Sequence, residues 1–542
     1  MALSPIRTSE ALATRESAVR PSRKFHVTLV RAPLISRVGS FNNESVPHLG
    51  LAYVAGYIRQ FGHEVAFLDG TAEGLNEVHP LPGHPGFQIQ GITVEDLVSR
   101  IPAHTDVIGF TSMFSAEWVL LRKIIQAVRA RFPDKLLVAG GEHFTALPEY
   151  CLRDCPELDV IVKGEGEHIF YELLEGYARG DTTSIAGICY LDDEGKFRDN
   201  GGLPRIKNLE TIPWPYWPEG YLEKYWKAGK SYGVRTERDM PILASRGCPY
   251  RCTFCSSPQM WTTKYTLRDI DDLILEIKYY VEKYNITSFQ LYDLTVFTKK
   301  HWTVAFCKRL FAENINLRWS LPSGTRSEVL DEEVLGLLKA THCDYLAYAP
   351  ESGSRRTLVK IKKRINPRKM VRSIETAKKA GLTVRTNLII GFPHETRRDV
   401  FETLFFGVKM ALMGVDEAPY FMFSAYPGTE IFAGLIKDGV VKVSDDYFMS
   451  LVSFNGKFSN LFPRGVTNRR LSNFELATLR LAFMLVNYGI SYLLFPKRIL
   501  RTITNILGDK GSATVFENRL QDAFRRKSHA EKADPTLTHS SH

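Results

Sequence analysis

The sequence predicts an α/β protein in three parts: a doubly wound parallel sheet, a six-stranded (β/α)6 partial TIM-type barrel, and a helical C-terminal region. Two observations carry this. From Phe25 onward, short β-branched apolar runs alternate with longer amphipathic stretches, which is the pattern of repeated βα units. The rhythm breaks once, over residues 187–239, and divides the repeats into a set of five and a set of six. A chain of 542 residues can bury several cores, and 44% hydrophobic with 24% charged residues is the composition of an ordinary globular protein. Wholesale disorder, collagen and a disulfide scaffold are excluded.

Residues 1–24 are rich in Ser and Arg and predict a disordered tail without the continuous apolar core of a secretory signal. HVTLV (26–30) then reads as a strand, LGLAYVAGYIRQFG (49–62) as a helix ending at Gly62, and HEVAFLDG (63–70) as the next strand. A Pro/Gly/His-rich loop (79–91) and a short helix lead to DVIGFTS (106–112), a helix to Arg131, KLLVAGG (135–141) and DVIVKGEGE (159–167). One further helix completes a domain over 25–186. In the linker 187–239, IPWPYWP (212–218) crowds three Pro with three large aromatics and reads as a connector packed against something. The second set of strands is MPILASRGC (240–248), ITSFQLYD (286–293), LRWSLPSG (317–324), YLAYAPES (345–352), LTVRTNLIIGFP (382–393) and APYFMFSAYPG (418–428). Six repeats over 240–435 are too few for a closed eight-stranded barrel and fit a partial one. Helices are expected over 436–528, and a polar tail over 529–542.

The formal net charge of +10 sits on the ends. Residues 1–24 hold five basic and two acidic residues, residues 464–527 hold twelve and four, and the body 25–463 is neutral. A nucleic-acid partner is therefore disfavoured. The best apolar run, Leu476 to Phe495, is interrupted by Arg480 and Asn487 and is not expected to span a membrane. Without an export signal, the sequence predicts a cytoplasmic location with reduced cysteines. Residues 474–507 form two apolar stretches split at Pro496 and followed by Lys497, Arg498 and Arg501. They predict either a helical cap over the barrel mouth or a peripheral membrane contact, and in the latter case the substrate is lipid-like.

RGCPYRCTFC places Cys248, Cys252 and Cys255 in a C-x3-C-x2-C array directly after a predicted strand. Three closely spaced thiolates can ligate three irons of one cubane, and no fourth ligand occurs before Cys307, so a zinc site is disfavoured. The fourth iron stays open to an exogenous chelate. Cys151 and Cys155 stand four apart on a helix without nearby partners and read as packing residues. The triad resembles the cluster loop of the radical S-adenosylmethionine (SAM) superfamily, and the resemblance extends in order over about residues 240–435. It implies a 4Fe-4S cluster, SAM bound at the open iron, and reductive cleavage to a 5′-deoxyadenosyl radical that abstracts hydrogen from an unactivated carbon. By the same resemblance Phe254 packs against adenine, Asp293 lies near the SAM amino group, and Ser323 and Arg326 lie near its carboxylate. Glu351 contacts the ribose, and Gly391 in NLIIGFPHET lets the backbone approach adenine. AYPGTEIF (425–432) matches the element at the sixth strand.

The first domain has no G-x-G-x-x-G loop after its first strand, which disfavours dinucleotide binding. PHLGLAYVAGYIRQFGHEV, VIGFTSM, VAGGEHFTALPEY and DVIVKGEGE instead resemble, over about 26–175, the cobalamin-binding domain upstream of many radical SAM proteins. That resemblance implies Thr111 and Ser112 along the nucleotide tail, and Gly140, Gly141 and Glu142 at the corrin. The Asp-x-His-x-x-Gly element of a lower axial ligand is absent: His48 precedes Gly50 by two positions, Val46 stands where the Asp would be, and His48 is expected to be a solvent-exposed loop residue. The cobalt is then expected without protein histidine. Lys163 to Glu167 is too poor in glycine to be a phosphate loop.

Together these imply a cobalamin-dependent radical SAM enzyme. A methyltransferase acting on an unactivated carbon of a small or lipid-like molecule is favoured, served by an external electron donor of flavodoxin or ferredoxin type. The rivals are a radical SAM cyclase, rearrangement or coupling enzyme and a non-enzymatic cobalamin sensor or carrier, the last leaving the Cys triad idle.

Overall fold

Alternating apolar residues bury both faces of the first sheet: Val27 and Leu29 of the first strand point into one core, Val30 into the other. The computed structural model describes residues 21–38, 40, 45–202, 205–234, 236–452, 465, 467–508 and 511–533. Its strands are β1 (His26–Arg31), β2 (Leu34–Arg37), β3 (Glu64–Asp69), β4 (Val78–Pro80), β5 (Phe87–Gln90), β6 (Val107–Thr111), β7 (Leu136–Gly140), β8 (Val160–Val162), β9 (Ile188–Leu191) and β10 (Phe197–Asp199). They continue with β11 (Asp239–Ile242), β12 (Ser245–Arg246), β13 (Thr266–Leu267), β14 (Ser288–Leu291), β15 (Arg318–Thr325), β16 (Cys343–Glu351), β17 (Thr383–Ile390) and β18 (Tyr420–Met422).

The first sheet has the order β10-β9-β8-β7-β6-β1-β3. Five strands are parallel, as the βα rhythm predicts, and the order reverses beside β1, where such sheets open a crevice at their carboxyl ends. Residues 188–199 differ from the expected linker. They form the antiparallel hairpin β9–β10, which closes the edge of this sheet against β8, so the first lobe runs on to about residue 199. Of the predicted tail, residues 1–20 lie outside the described residues. Residues 21–24 are held on the lobe, with Ser22 Oγ donating to Glu175 at 2.5 Å and Arg23 paired with Asp106 at 3.3 Å.

The second sheet is parallel and strictly sequential, β11-β14-β15-β16-β17-β18, with helical crossovers between neighbours. The aromatic connector packs between the lobes. Trp214 Nε1 donates to Asp272 at 3.0 Å, the Tyr216 N–H donates to the Ala52 carbonyl at 2.9 Å, and a Cβ on Gly56 would lie 2.8 Å from the Trp214 carbonyl oxygen. Gly56 is thus required for the helix Leu49–Arg59 to approach the connector.

Helix Asn473–Leu494 is, by length and composition, apolar enough to cross a membrane, contrary to what Arg480 and Asn487 predict. It lies instead along the second sheet. Leu476, Ala477, Asn487 and Ser491 are buried, and Asn487 Nδ2 donates to the Tyr420 hydroxyl at 2.9 Å. Helix Asp445–Leu451 turns the other way and sinks Phe448, Met449 and Leu451 into the core of the first lobe. The predicted tail 529–542 lies outside the described residues from 534 onward, and helix Val515–Ala533 covers its beginning.

Candidate active site

The Cys loop leaves β12 and is pinned at its middle. Thr253 donates its N–H to the Ile361 carbonyl at 3.0 Å and accepts from the Ile431 N–H at 3.0 Å, so the end of helix Arg355–Lys360 and the start of helix Glu430–Lys437 both hold it. Cys248, Cys252 and Cys255 are half-buried, whereas the other five cysteines are buried. Burial pushes all three thiols up, Cys255 to about 12, while the Lys363 and Arg326 charges oppose this at Cys248 and Cys252. Among the described residues no three His, Cys, Asp or Glu side chains converge on a single ion position. A cubane does not require that, because each thiolate binds a different iron. Three adjacent soft ligands within reach of two cations, with a half-open mouth, fit an anionic iron–sulfur cluster. Buried hydroxyl oxygens without a protein partner gather on the same sheet and loop, at Thr253, Ser257, Ser320, Thr325 and Thr386.

Around the loop, Glu351 ends β16 with a φ of +63°, at a register shift. A non-glycine residue held there stores strain that the fold must support. Its carboxylate is buried against Lys363 Nζ at 2.9 Å. Arg326 stacks on the Tyr250 ring at 3.6 Å, pairs with Glu328 at 2.6 Å and donates to the Arg364 carbonyl. Ser323 is half-exposed on β15. Phe254 meets Phe392, the residue after Gly391, edge-on at 5.7 Å.

Two candidates serve the site from behind. Asp293 is buried, is pushed up to about 6 by that burial, and accepts from Ala244 N at 3.1 Å and Ser245 Oγ at 2.5 Å. It braces the chain that enters the Cys loop. Gly391 has a φ of +90°, and a Cβ there would lie 3.1 Å from Leu476, so its bare side is turned toward the C-terminal helix. Lys363 and Tyr250 were missed by the sequence motifs. The run IKKR (361–364) after the helix Arg355–Lys360 was the visible signal for Lys363.

On the first lobe, Thr111, Ser112, Gly140 and Gly141 lie together at the ends of β6 and β7. The Ser112 N–H donates to the Gly140 carbonyl at 3.2 Å, and its hydroxyl donates to Glu117 at 2.9 Å. A Cβ on Gly141, whose φ is +105°, would lie 2.6 Å from the Ser112 carbonyl oxygen, so glycine is needed for the two strand ends to meet. Met113 and Phe114 stand exposed beside them. His48 is not the exposed loop residue expected. It is half-buried, and its Nδ1 caps helix Leu49–Arg59 by accepting from Leu51 N at 3.1 Å. Burial and the Arg31 charge lower it to about 3. His143 is buried between Ser115 Oγ at 2.9 Å and Cys151 Sγ at 3.3 Å. Both imidazoles are committed to the fold.

The lobes meet at Glu142, which accepts a hydrogen bond from Ser256 Oγ, one residue past Cys255. Beside this contact Arg246 of β12 bonds Glu165 at 3.1 Å and Glu167 at 2.5 Å, and Arg205 bonds Glu165 at 2.7 Å. Glu165 and Glu167 thus clamp the first lobe to the second. On the far side of the loop, Phe254 borders a cavity of about 340 Å³ between β18 and the C-terminal helices.

Both lobes match known families. The family model of the Radical SAM superfamily matches residues 242–407, and that of the B12 binding domain matches 42–174. An uncharacterized methyltransferase of Pyrococcus horikoshii is 30% identical over 77% of this chain and 84% of its own length. Cytidylyl-2-hydroxyethylphosphonate methyltransferase of Streptomyces wedmorensis is 29% identical over 74% and 80%. Anaerobic magnesium-protoporphyrin IX monomethyl ester cyclase of Rubrivivax gelatinosus is 27% identical over 72% and 66%. Among solved structures, the cobalamin-dependent S-adenosylmethionine radical enzyme OxsB shares the fold, with a TM-score of 0.65 and 15% identity over 95% of this chain and 80% of that one.

Proposed function

The chain belongs to the family of radical SAM enzymes that carry a B12 binding domain, and from that premise we propose that it is a cobalamin-dependent methyltransferase acting on an unactivated carbon of a small or lipid-like molecule. The observation that carries this reading is the Glu142–Ser256 contact, which sets the carboxyl edge of the first sheet against the residue next to Cys255. When bound, the cluster and SAM supply hydrogen-atom abstraction, and cobalamin supplies a transferable methyl group. Cys248, Cys252 and Cys255 hold the cluster. Phe254, Ser323, Arg326 and Glu351 line the SAM site, while Asp293 and Gly391 position it from behind. Thr111, Ser112, Gly140, Gly141 and Glu142 border cobalamin. The second sheet curls into a partial barrel that keeps these groups away from water. An electron donor of flavodoxin or ferredoxin type reduces the cluster, in the cytoplasm.

The test is anaerobic reconstitution with iron, sulfide and cobalamin, followed by SAM labelled on its methyl group and a panel of lipid, pigment and natural-product intermediates. Transfer of label to a carbon product is expected. Cys248→Ala, Cys252→Ala and Cys255→Ala are each expected to abolish the cluster absorbance and deoxyadenosine release, and full retention of release overturns the enzyme reading. Deoxyadenosine without label transfer on an accepted substrate replaces methylation by cyclisation or coupling, and failure to retain cobalamin counts against methyl transfer.

A further inference from the structure

The body of the chain is neutral as a whole, but its charge is unevenly placed. Residues 355–372 hold nine basic residues and no acidic one. They run from helix Arg355–Lys360 through a turn into helix Pro367–Lys379. Three of the nine are used by the fold: Arg356 pairs with Asp399, Lys362 with Glu430 at 2.6 Å, and Lys363 with Glu351 at 2.9 Å. The other six, Arg355, Lys360, Arg364, Arg368, Lys369 and Arg372, are exposed and form no ion pair with the described residues. Like charges gathered in this way repel one another, so the run does not help the fold.

This basic run lies against the Cys loop. The Ile361 carbonyl, in the turn, accepts from Thr253 N at 3.0 Å. The Arg364 carbonyl accepts from Arg326, which stacks on the Tyr250 ring at 3.6 Å. Thr253 follows Cys252 directly, and Tyr250 precedes it by two positions. Between them Arg251 is exposed and forms no ion pair with the described residues, and Val359 stands largely exposed in the last turn of the first helix. The far end of the loop is covered instead, where Ser256 donates to Glu142 of the first lobe.

We propose that Arg251 and the exposed cations of residues 355–372 form the surface on which an acidic one-electron carrier protein docks to reduce the site at Cys248, Cys252 and Cys255. The inference rests on the cluster reading above. One electron leaves the carrier and one arrives at the cluster, with no bond made or broken. An electron enters a half-buried centre through the surface nearest to it, and this exposed surface is hydrogen-bonded to the Cys loop itself. Unpaired cations around an exposed apolar side chain suit a transient complex. Opposite charge steers the encounter, and a small contact lets the spent carrier leave. A nucleic acid or an anionic membrane would be drawn by the same charges, but neither has reason to lie against the Cys loop.

The test uses the full-length protein and flavodoxin, a small acidic carrier of one electron. Calorimetric binding of oxidised flavodoxin needs no cluster. It is expected to be saturable at low salt and to weaken as salt rises. Lys360→Glu with Arg364→Glu is expected to weaken it by at least about tenfold. Lys207→Glu with Lys308→Glu, which reverses two exposed charges elsewhere, is expected to leave it within about twofold. After anaerobic reconstitution, stopped-flow reduction of the cluster by reduced flavodoxin is expected to slow by a similar factor in the first pair only. Dithionite, which needs no docking surface, is expected to reduce the cluster to the same extent in all three proteins. No saturable binding by the wild type, indifference to Lys360→Glu with Arg364→Glu, or an equal loss in the control pair overturns the proposal. Binding of transfer RNA or of phosphatidylserine vesicles that is lost in the first pair, with reduction by flavodoxin unchanged, gives the surface to that partner instead. Failure of the wild type to take up a cluster counts against the cofactor reading, and the binding of flavodoxin then decides this inference by itself.

Discussion

Glu395 illustrates how single residues hold the site. Its carboxylate closes the turn after β17 by accepting from Gly391 N at 2.7 Å, Phe392 N at 3.1 Å and Thr357 Oγ1 at 3.0 Å. Burial outweighs these three donors and pushes Glu395 up to about 7. An acid whose folded pKa lies above its unfolded value favours folding most when protonated. Its contribution is complete below about pH 4.5 and is lost as pH rises through about 7. Thermal unfolding between pH 5 and 8 is therefore expected to show stability falling toward neutrality, by no more than about 3 kcal/mol from this group. Glu395→Gln keeps an acceptor for the turn without the charge and is expected to flatten the profile; an unchanged slope removes Glu395 as its source. The motif around Gly391 was legible in the sequence, but its physical reason was only half legible. The positive φ of glycine is a local property, whereas the packing of Leu476 against its bare side joins positions 85 residues apart.

At the scale of elements, the two cofactor lobes are joined by charge as well as by the aromatic connector. Arg246 and Arg205 converge with Glu165 and Glu167 in a buried cluster, and Arg246 lies two residues before Cys248. Removing one partner from such a cluster leaves an uncompensated buried charge and costs about 3–5 kcal/mol. Glu165→Gln is expected to lower the midpoint of thermal unfolding and to speed proteolytic cleavage within residues 200–240, where the connector would come loose. Unchanged cleavage there would show that the connector alone holds the lobes. The strand rhythm of both sheets was readable because burial on two faces leaves continuous apolar runs. The hairpin β9–β10 was not, because three or four residues at a sheet edge carry little periodic signal. The clamp was unreadable for another reason: KGEGE contains no metal or phosphate pattern, and its partners Arg205 and Arg246 come from beyond the lobe boundary.

For the whole molecule, the distribution of exposed apolar surface is the remaining signal. Helix Asn473–Leu494 buries one side on the second sheet, helix Lys497–Gly508 packs against it and against helix Val515–Ala533, and the pair turns Leu485, Leu493, Leu500, Ile503 and Leu507 outward, with Leu493 and Leu507 about four-fifths exposed. Asn487 and Arg498 are tied into the protein, Arg498 by donating to the Gly414 carbonyl at 2.6 Å, so this layer cannot leave the sheet to span a bilayer without breaking buried polar bonds. Contact along its outer face is the arrangement we propose. The sequence suggested that basic residues would strengthen that contact, but Arg480, Arg498 and Arg501 turn inward, and among the described residues of these two helices Lys497 is the exposed cation. Binding should therefore come from apolar insertion and depend little on lipid charge or salt. In vesicle flotation, the full-length protein is expected to rise with phosphatidylcholine vesicles nearly as well as with vesicles containing phosphatidylserine, at low and high salt alike. Leu493→Ser with Leu500→Ser is expected to abolish flotation while leaving the unfolding midpoint within a few degrees, since both side chains are already in water. Flotation that required phosphatidylserine and vanished with salt would return the contact to the basic residues, and no flotation in either lipid would leave the outer face without a membrane role.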